Sequence, residues 1–147
     1  MNIYKIWDVL EGIPDPEIPN ISIVEMGIVR KLKFNDGILN VTITPTYSGC
    51  PAMSVIKSEI KKHLIKEGVN DFEINTSLFP PWTTGWLSEK TKSKLQSIGI
   101  APPKKQIECP YCNSNKIQLV SEFGSTLCKS YHKCIHCMEI FENFKCI

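Results

Sequence analysis

Long apolar runs are missing from this sequence. None approaches the ~20 residues that a helix needs to cross a membrane, so no membrane partner is expected. Charge of either sign is also not in excess. Net charge is +2 over 147 residues, which argues against a dedicated nucleic-acid binder. Glycine-rich loops of the phosphate-cradling kind do not occur. No histidine stands where it would activate a cysteine, so a thiol enzyme is the weakest reading of the chain. The opening residues lack the basic-then-apolar pattern of an export signal, and the expected compartment is the cytoplasm, where thiols stay reduced. Cysteine is scarce at first and then crowded. Of seven, only Cys50 precedes Cys109, and the other six lie between Cys109 and Cys146.

That shift divides the chain. We expect a first domain over residues 1–101 and a small thiol-rich module over 102–147. The stretch Gly99-Ile100-Ala101-Pro102-Pro103-Lys104-Lys105 has linker composition at the join. Ile3, Ile6, Trp7 and Leu10 mark one face of a helix over 3–11, with Asn2 as N-cap and Gly12 as stop. Three prolines within residues 14–19 forbid helix and central strand, leaving a loop that presents Asp15 and Glu17. On residue type alone that loop is a solvated face. Asp36-Gly37 between alternating runs signals a hairpin of Val29–Phe34 with Ile38–Thr44. A helix from Pro51 to about Glu67 carries the stripe Met53, Ile56, Ile60 and Leu64, and a strand follows from Phe72. The order predicts a small α+β domain whose sheet is covered by helices.

Strand and helix meet at Thr46-Tyr47-Ser48-Gly49-Cys50-Pro51-Ala52-Met53. Pro51 suits a first helical position, which puts Cys50 at or beside the N-cap. Unpaired N–H groups and the helix dipole there favour a thiolate, the form that binds metal. The plainer reading is a small buried hydrophobe. Further on, Trp82 and Trp86 sit with Phe79 in a Pro/Gly loop. They fit either a lid folded onto the sheet or a patch for docking a partner. Ser88 to Ile98 reads as a short Lys-rich helix.

In the second module, Cys109-x2-Cys112 and Cys134-x2-Cys137 are separated by 21 residues. Two residues between thiolates let both sulfurs of a tight turn reach one tetrahedral ion, and two such knuckles close a four-coordinate site. Strand-like runs follow each pair, at Lys116–Val120 and Met138–Glu142. This is zinc-ribbon organisation. Four thiolates leave no open position for water, so the zinc is expected to be structural. A rubredoxin-like iron is the other metal that this spacing accommodates. Cys128 and Cys146 are surplus.

Taken in order, several blocks resemble the PaaD (PaaJ) family of phenylacetate-degradation proteins. They are Asp15-Pro16-Glu17-Ile18-Pro19, the Gly49-Cys50-Pro51 turn, Pro80-Pro81-Trp82-Thr83-Thr84-Gly85-Trp86, Gly99-Ile100-Ala101-Pro102-Pro103 and Phe144-Lys145-Cys146. The first domain by itself is similar to the SufT-like domain of iron–sulfur cluster assembly. The resemblance implies a non-catalytic accessory of the phenylacetyl-CoA epoxidase complex, acting in maturation of an iron–sulfur or iron centre. Its partners would be the oxygenase and reductase components of that complex. It makes Cys50 the cofactor-binding residue for a transient cluster or iron, with Asp15 and Glu17 on the same surface. One thiolate cannot satisfy a cluster, so a homodimer mate or the client would complete the ligand set. The alternative role is a structural subunit without metal delivery. No phosphate-cradling loop supports binding of phenylacetyl-CoA by this chain.

Overall fold

The computed structural model describes residues 2–47 and 49–147, so Ser48 of the turn above lies outside the described residues. The chain divides into two compact units, Met1–Trp82 and Thr83–Ile147. The join expected at residue 101 is thus earlier, at residue 82. The stretch read as a linker is built into the second unit. Ile100–Ala101 forms a strand, and Ala101, Pro102 and Pro103 are buried. Composition misled here because proline is tolerated beside a short edge strand as readily as in a linker.

The first unit opens with α1 (Ile3–Glu11), capped by Asn2, whose side-chain oxygen accepts from the Lys5 N–H. Ile6 and Leu10 are its fully buried residues. Residues 21–26, which carry no clear periodicity, form turns. Ser22 and Glu25 bond reciprocally through backbone N–H and side-chain oxygens, the pattern of a capping box. Strands β1 (Val29–Asn35) and β2 (Ile38–Ile43) form the expected hairpin, with Asp36 at φ 52° and Gly37 at φ 79°. Positive φ at both turn positions matches the right-handed twist of the strands. A register shift between Val29 and Lys31 accounts for the broken alternation of β1.

Leu39, Val41 and Ile43 on one face of β2 are fully buried. Helix α2 (Ala52–Lys66) then crosses over, burying Ala52, Ile56, Ile60 and Leu64. It delivers β3 (Phe72–Thr76) parallel to β2, so the sheet order is β1-β2-β3. Helix α1 packs against α2 and β1. Trp82 folds back into this unit, and its indole N–H donates to the Met26 carbonyl at 2.7 Å. Phe79 of the same loop remains 87% exposed, so the loop is a lid at one residue and open at another.

The second unit begins with a 3-10 turn, Thr84–Trp86. The hydroxyls of Thr83 and Thr84 donate to the Ile147 carbonyl and so tie the unit's first residues to the C-terminal residue. Helix α3 (Glu89–Ser97) is capped by Ser88. Four strands follow: β4 (Ile100–Ala101), β5 (Ile117–Ser121), β6 (Lys129–Cys134) and β7 (Ile140–Phe144). Their order is β4-β7-β6-β5, with β4 parallel to β7 and the rest antiparallel. Strand β6 has no counterpart in the sequence pattern, because Lys129-Ser130-Tyr131-His132-Lys133 offers no apolar alternation. Among the described residues no helix is long and apolar enough to cross a membrane.

Candidate metal centres

Cys50 lies between the C-terminal end of β2 and the first turn of α2. Gly49 before it takes φ +76°, a backbone conformation that a side chain resists and that turns the chain toward the helix. The Asp15 loop meets it from the other end of the unit's sequence. The Cys50 Sγ–H donates to Glu17 Oε1 at 3.5 Å, across 33 positions of sequence. Asp15 does a different job from Glu17. Its side chain is 4% exposed. Its Oδ1 accepts from the N–H groups of Glu17 (2.7 Å) and Ile18 (3.1 Å), which fixes the turn that holds Glu17 out. The solvated loop face expected from residue type is corrected for Asp15. A buried carboxylate survives there because backbone donors replace its water.

The thiol of Cys50 is not activated as the helix terminus suggested. Burial pushes its pKa up, the Ala52 N–H pulls it down, and the Glu17 carboxylate pushes it up again. The net result is a protonated thiol at neutral pH. The helix dipole is legible from the Cys-Pro turn, but the burial and the carboxylate are not. Tyr47 is a further contributor that the sequence pattern did not single out. Its side chain bonds to the sulfur and favours the thiolate. Its place three residues before Cys50 in the same turn was the available signal. Cys50 keeps 9% of its surface, between exposed Gly49 and Pro51, so the sulfur lies just beneath the surface of the unit.

In the second unit the four paired cysteines converge. The sulfurs of Cys109, Cys112, Cys134 and Cys137 all lie within 4.8 Å of one another. Cys109 and Cys137 are 3.6 Å apart, and Cys112 and Cys134 3.5 Å. A tetrahedral ion with bonds of about 2.3 Å sets its sulfurs about 3.8 Å apart, so this donor set fits one. The Tyr111 N–H points at Cys109 Sγ and the Cys137 N–H at Cys134 Sγ, each at 3.4 Å, which is how zinc knuckles hold thiolates.

The Cys137 N–H, chiefly, brings the Cys134 pKa down to about 6. Cys137 is pushed up to about 12: the Glu139 N–H lowers it, but burial and the three neighbouring sulfurs outweigh that N–H. Four thiols so close cannot all ionise without a cation among them. Cys109 and Cys134 also belong to a buried cluster with Ala101 and Phe141, so the metal site and this part of the unit's core are one structure. Cys128 is buried against Thr126 and Cys146 is exposed, and neither joins the four.

Comparison with known proteins agrees with both halves. Residues 4–78 match the family described as iron-sulfur cluster assembly protein, and residues 95–145 match the PaaD zinc beta ribbon domain. A protein of Escherichia coli (strain K12), provisionally named as a subunit of 1,2-phenylacetyl-CoA epoxidase, is 37% identical over 99% of this chain and 93% of its own length. The Fe-S protein maturation auxiliary factor YitW of Bacillus subtilis (strain 168) is 36% identical over 62% of this chain and 90% of its own. Among solved structures, a DUF59 domain of unknown function from Bacillus anthracis shares 33% identity. It aligns with a TM-score of 0.58 over 63% of this chain and 89% of that one. With a full-length relative at this identity and both halves matched in order, the chain belongs to the PaaD family, an iron–sulfur cluster assembly domain followed by a zinc β-ribbon.

Proposed function

We propose that this protein is a non-catalytic accessory in maturation of an iron–sulfur or iron centre, serving the components of a phenylacetyl-CoA epoxidase. The observation that carries the reading is the meeting of Cys50 and Glu17. A lone thiol just under the surface donates to a carboxylate on a loop 33 positions away in sequence. Cys50 supplies one thiolate to a cluster or iron that is cargo, not a resident group. The remaining ligands come from the client or from a second copy, since a cluster takes four. Glu17, to which the thiol donates, offers the path to water for the proton that Cys50 gives up when the metal binds, and Asp15 holds the loop in shape. The ribbon cysteines hold zinc, whose closed shell offers no site for substrate and serves the fold.

The relatives' names support the two levels of this reading. Those matching the first domain are called maturation factors, and the one matching the whole chain is called an epoxidase subunit. Anaerobic reconstitution of the full chain with iron and sulfide tests it. Wild type is expected to take up iron beyond the metal of the ribbon, with sulfide in proportion, and Cys50→Ala to lose that excess. Identical uptake by the two would overturn delivery.

The word "subunit" in the Escherichia coli relative's name favours a second reading, a structural component. It predicts that oxygenase and reductase already loaded with metal still need this protein in stoichiometric amounts.

A further inference from the structure

The second unit contains an open cleft of about 510 Å³ that the metal cluster does not use. Its floor is one face of the ribbon sheet. Ser130 and Asn143 face each other across the β6–β7 ladder, and His132 follows two positions along β6 beside Leu119 of β5. The segment before the first knuckle contributes Ile107, Lys104 and Lys105, and Lys145 stands at the end of β7. The volume is that of a small-molecule site.

Two observations point to what it would hold. The first is polar chemistry at the bottom. The Ser130 hydroxyl and His132 Nε2 are bonded at 2.8 Å. Asn143 is 5% exposed, and its Oδ1 is the buried side-chain oxygen that lacks a partner among the described residues. A buried carbonyl oxygen left unpaired is costly, and rotating the amide by half a turn puts its NH2 in that place. Such a group has no value to a ribbon core and is useful to a bound polar molecule. The second is charge. Three lysines line the cleft against one carboxylate, Glu122. Among the described residues Lys104 pairs with half-exposed Glu108, and Lys145 donates to the Leu127 carbonyl while lying over the Phe123 ring. These are surface contacts that a bound anion can share.

We propose that this cleft is a binding site for a small organic anion. Its apolar body would lie on Leu119 and Ile107, with its polar atoms against Asn143 and Ser130 and its negative group beside the lysines. A carboxylate and a phosphate ester share that chemistry. An extended polymer does not fit, because the polar groups converge on one patch of floor and do not run along a groove.

The metal-loaded full chain, labelled with nitrogen-15, provides the test. Titration probes are phenylacetate and phenyl phosphate as two anions with an apolar body, benzyl alcohol as the body alone, and inorganic phosphate as the anion alone. Saturable shifts at the amides of Leu119, Ser130, His132 and Asn143 are expected with one or both aryl anions. Whichever binds more tightly identifies the carboxylate or the phosphate source. The two controls should bind about tenfold more weakly, and the Lys104→Gln/Lys105→Gln variant should lose about as much. Asn143→Asp, which puts a negative charge on the floor, should abolish the shifts while the zinc-knuckle amides keep their native positions. Absence of shifts at millimolar anion, equal binding of benzyl alcohol, or affinity unchanged in the lysine variant would each overturn the site.

Discussion

At the scale of single residues, the decisive contest is over the proton on Cys50. A helix N-terminus and the Ala52 N–H favour the thiolate, while burial and the Glu17 carboxylate favour the thiol, and the second pair wins. The sign has a direct consequence. Because the pKa is raised, less thiolate is present at pH 8 than in an ordinary cysteine. Cys50 should therefore react with iodoacetamide more slowly than exposed Cys146 in the same molecule. Glu17→Gln removes the negative charge but keeps an acceptor. The raised pKa should fall and Cys50 alkylation should accelerate by about threefold to tenfold, as a carboxylate beside a buried thiol warrants. Peptide mass spectrometry of the two sites reads both rates. A rate unchanged by Glu17→Gln would mean that the carboxylate does not govern the sulfur.

At the scale of elements, local chemistry was largely legible because each signal acted within a few residues. Asn2 was readable as a cap and Ser88 as the start of a helix, and both accept the N–H three residues on. Asp36-Gly37 was readable as a hairpin turn because positive φ is a property of the residues themselves. Gly37 tests that directly. A Cβ there meets nothing within 4 Å, so Gly37→Ala introduces backbone strain and no clash. It should destabilise the first unit by about 1 kcal/mol, read as a lower urea midpoint with unchanged slope. Strands β4 and β6 were not legible. Ile100–Ala101 is a strand only because β7 lies beside it, and β6 carries Lys129 into the interior, where Glu142 lies at 4.0 Å. Partners distant in sequence decided both.

At the scale of the whole molecule, the chain uses two different means of stability. The first unit buries a conventional apolar core of α1, α2 and β2. The second gathers its core around four sulfurs, and so couples its fold to metal and to protons. The metal-free cluster at pH 7 keeps protons on Cys137, pushed up to about 12, and on Cys112, whose pKa is also raised. Metal must displace them. Zinc binding should release about two protons or more at pH 7, and apparent affinity should fall as the pH is lowered. Calorimetry in buffers of different ionisation enthalpy counts the protons. Chelation should abolish amide dispersion across Ile117–Phe144, since the remaining apolar cluster is too small to hold those strands.

The amino-acid order by itself determined the paired-knuckle spacing, the α+β element sequence of the first domain and the identity of the lone early cysteine. All three are written in short-range spacing and residue type. Only the tertiary structure decided that the proline-rich join belongs to the ribbon, that Asp15 turns inward while Glu17 reaches Cys50, and that Cys50 holds its proton. Burial and the approach of a carboxylate 33 positions away are properties of the folded chain, and no local pattern encodes them.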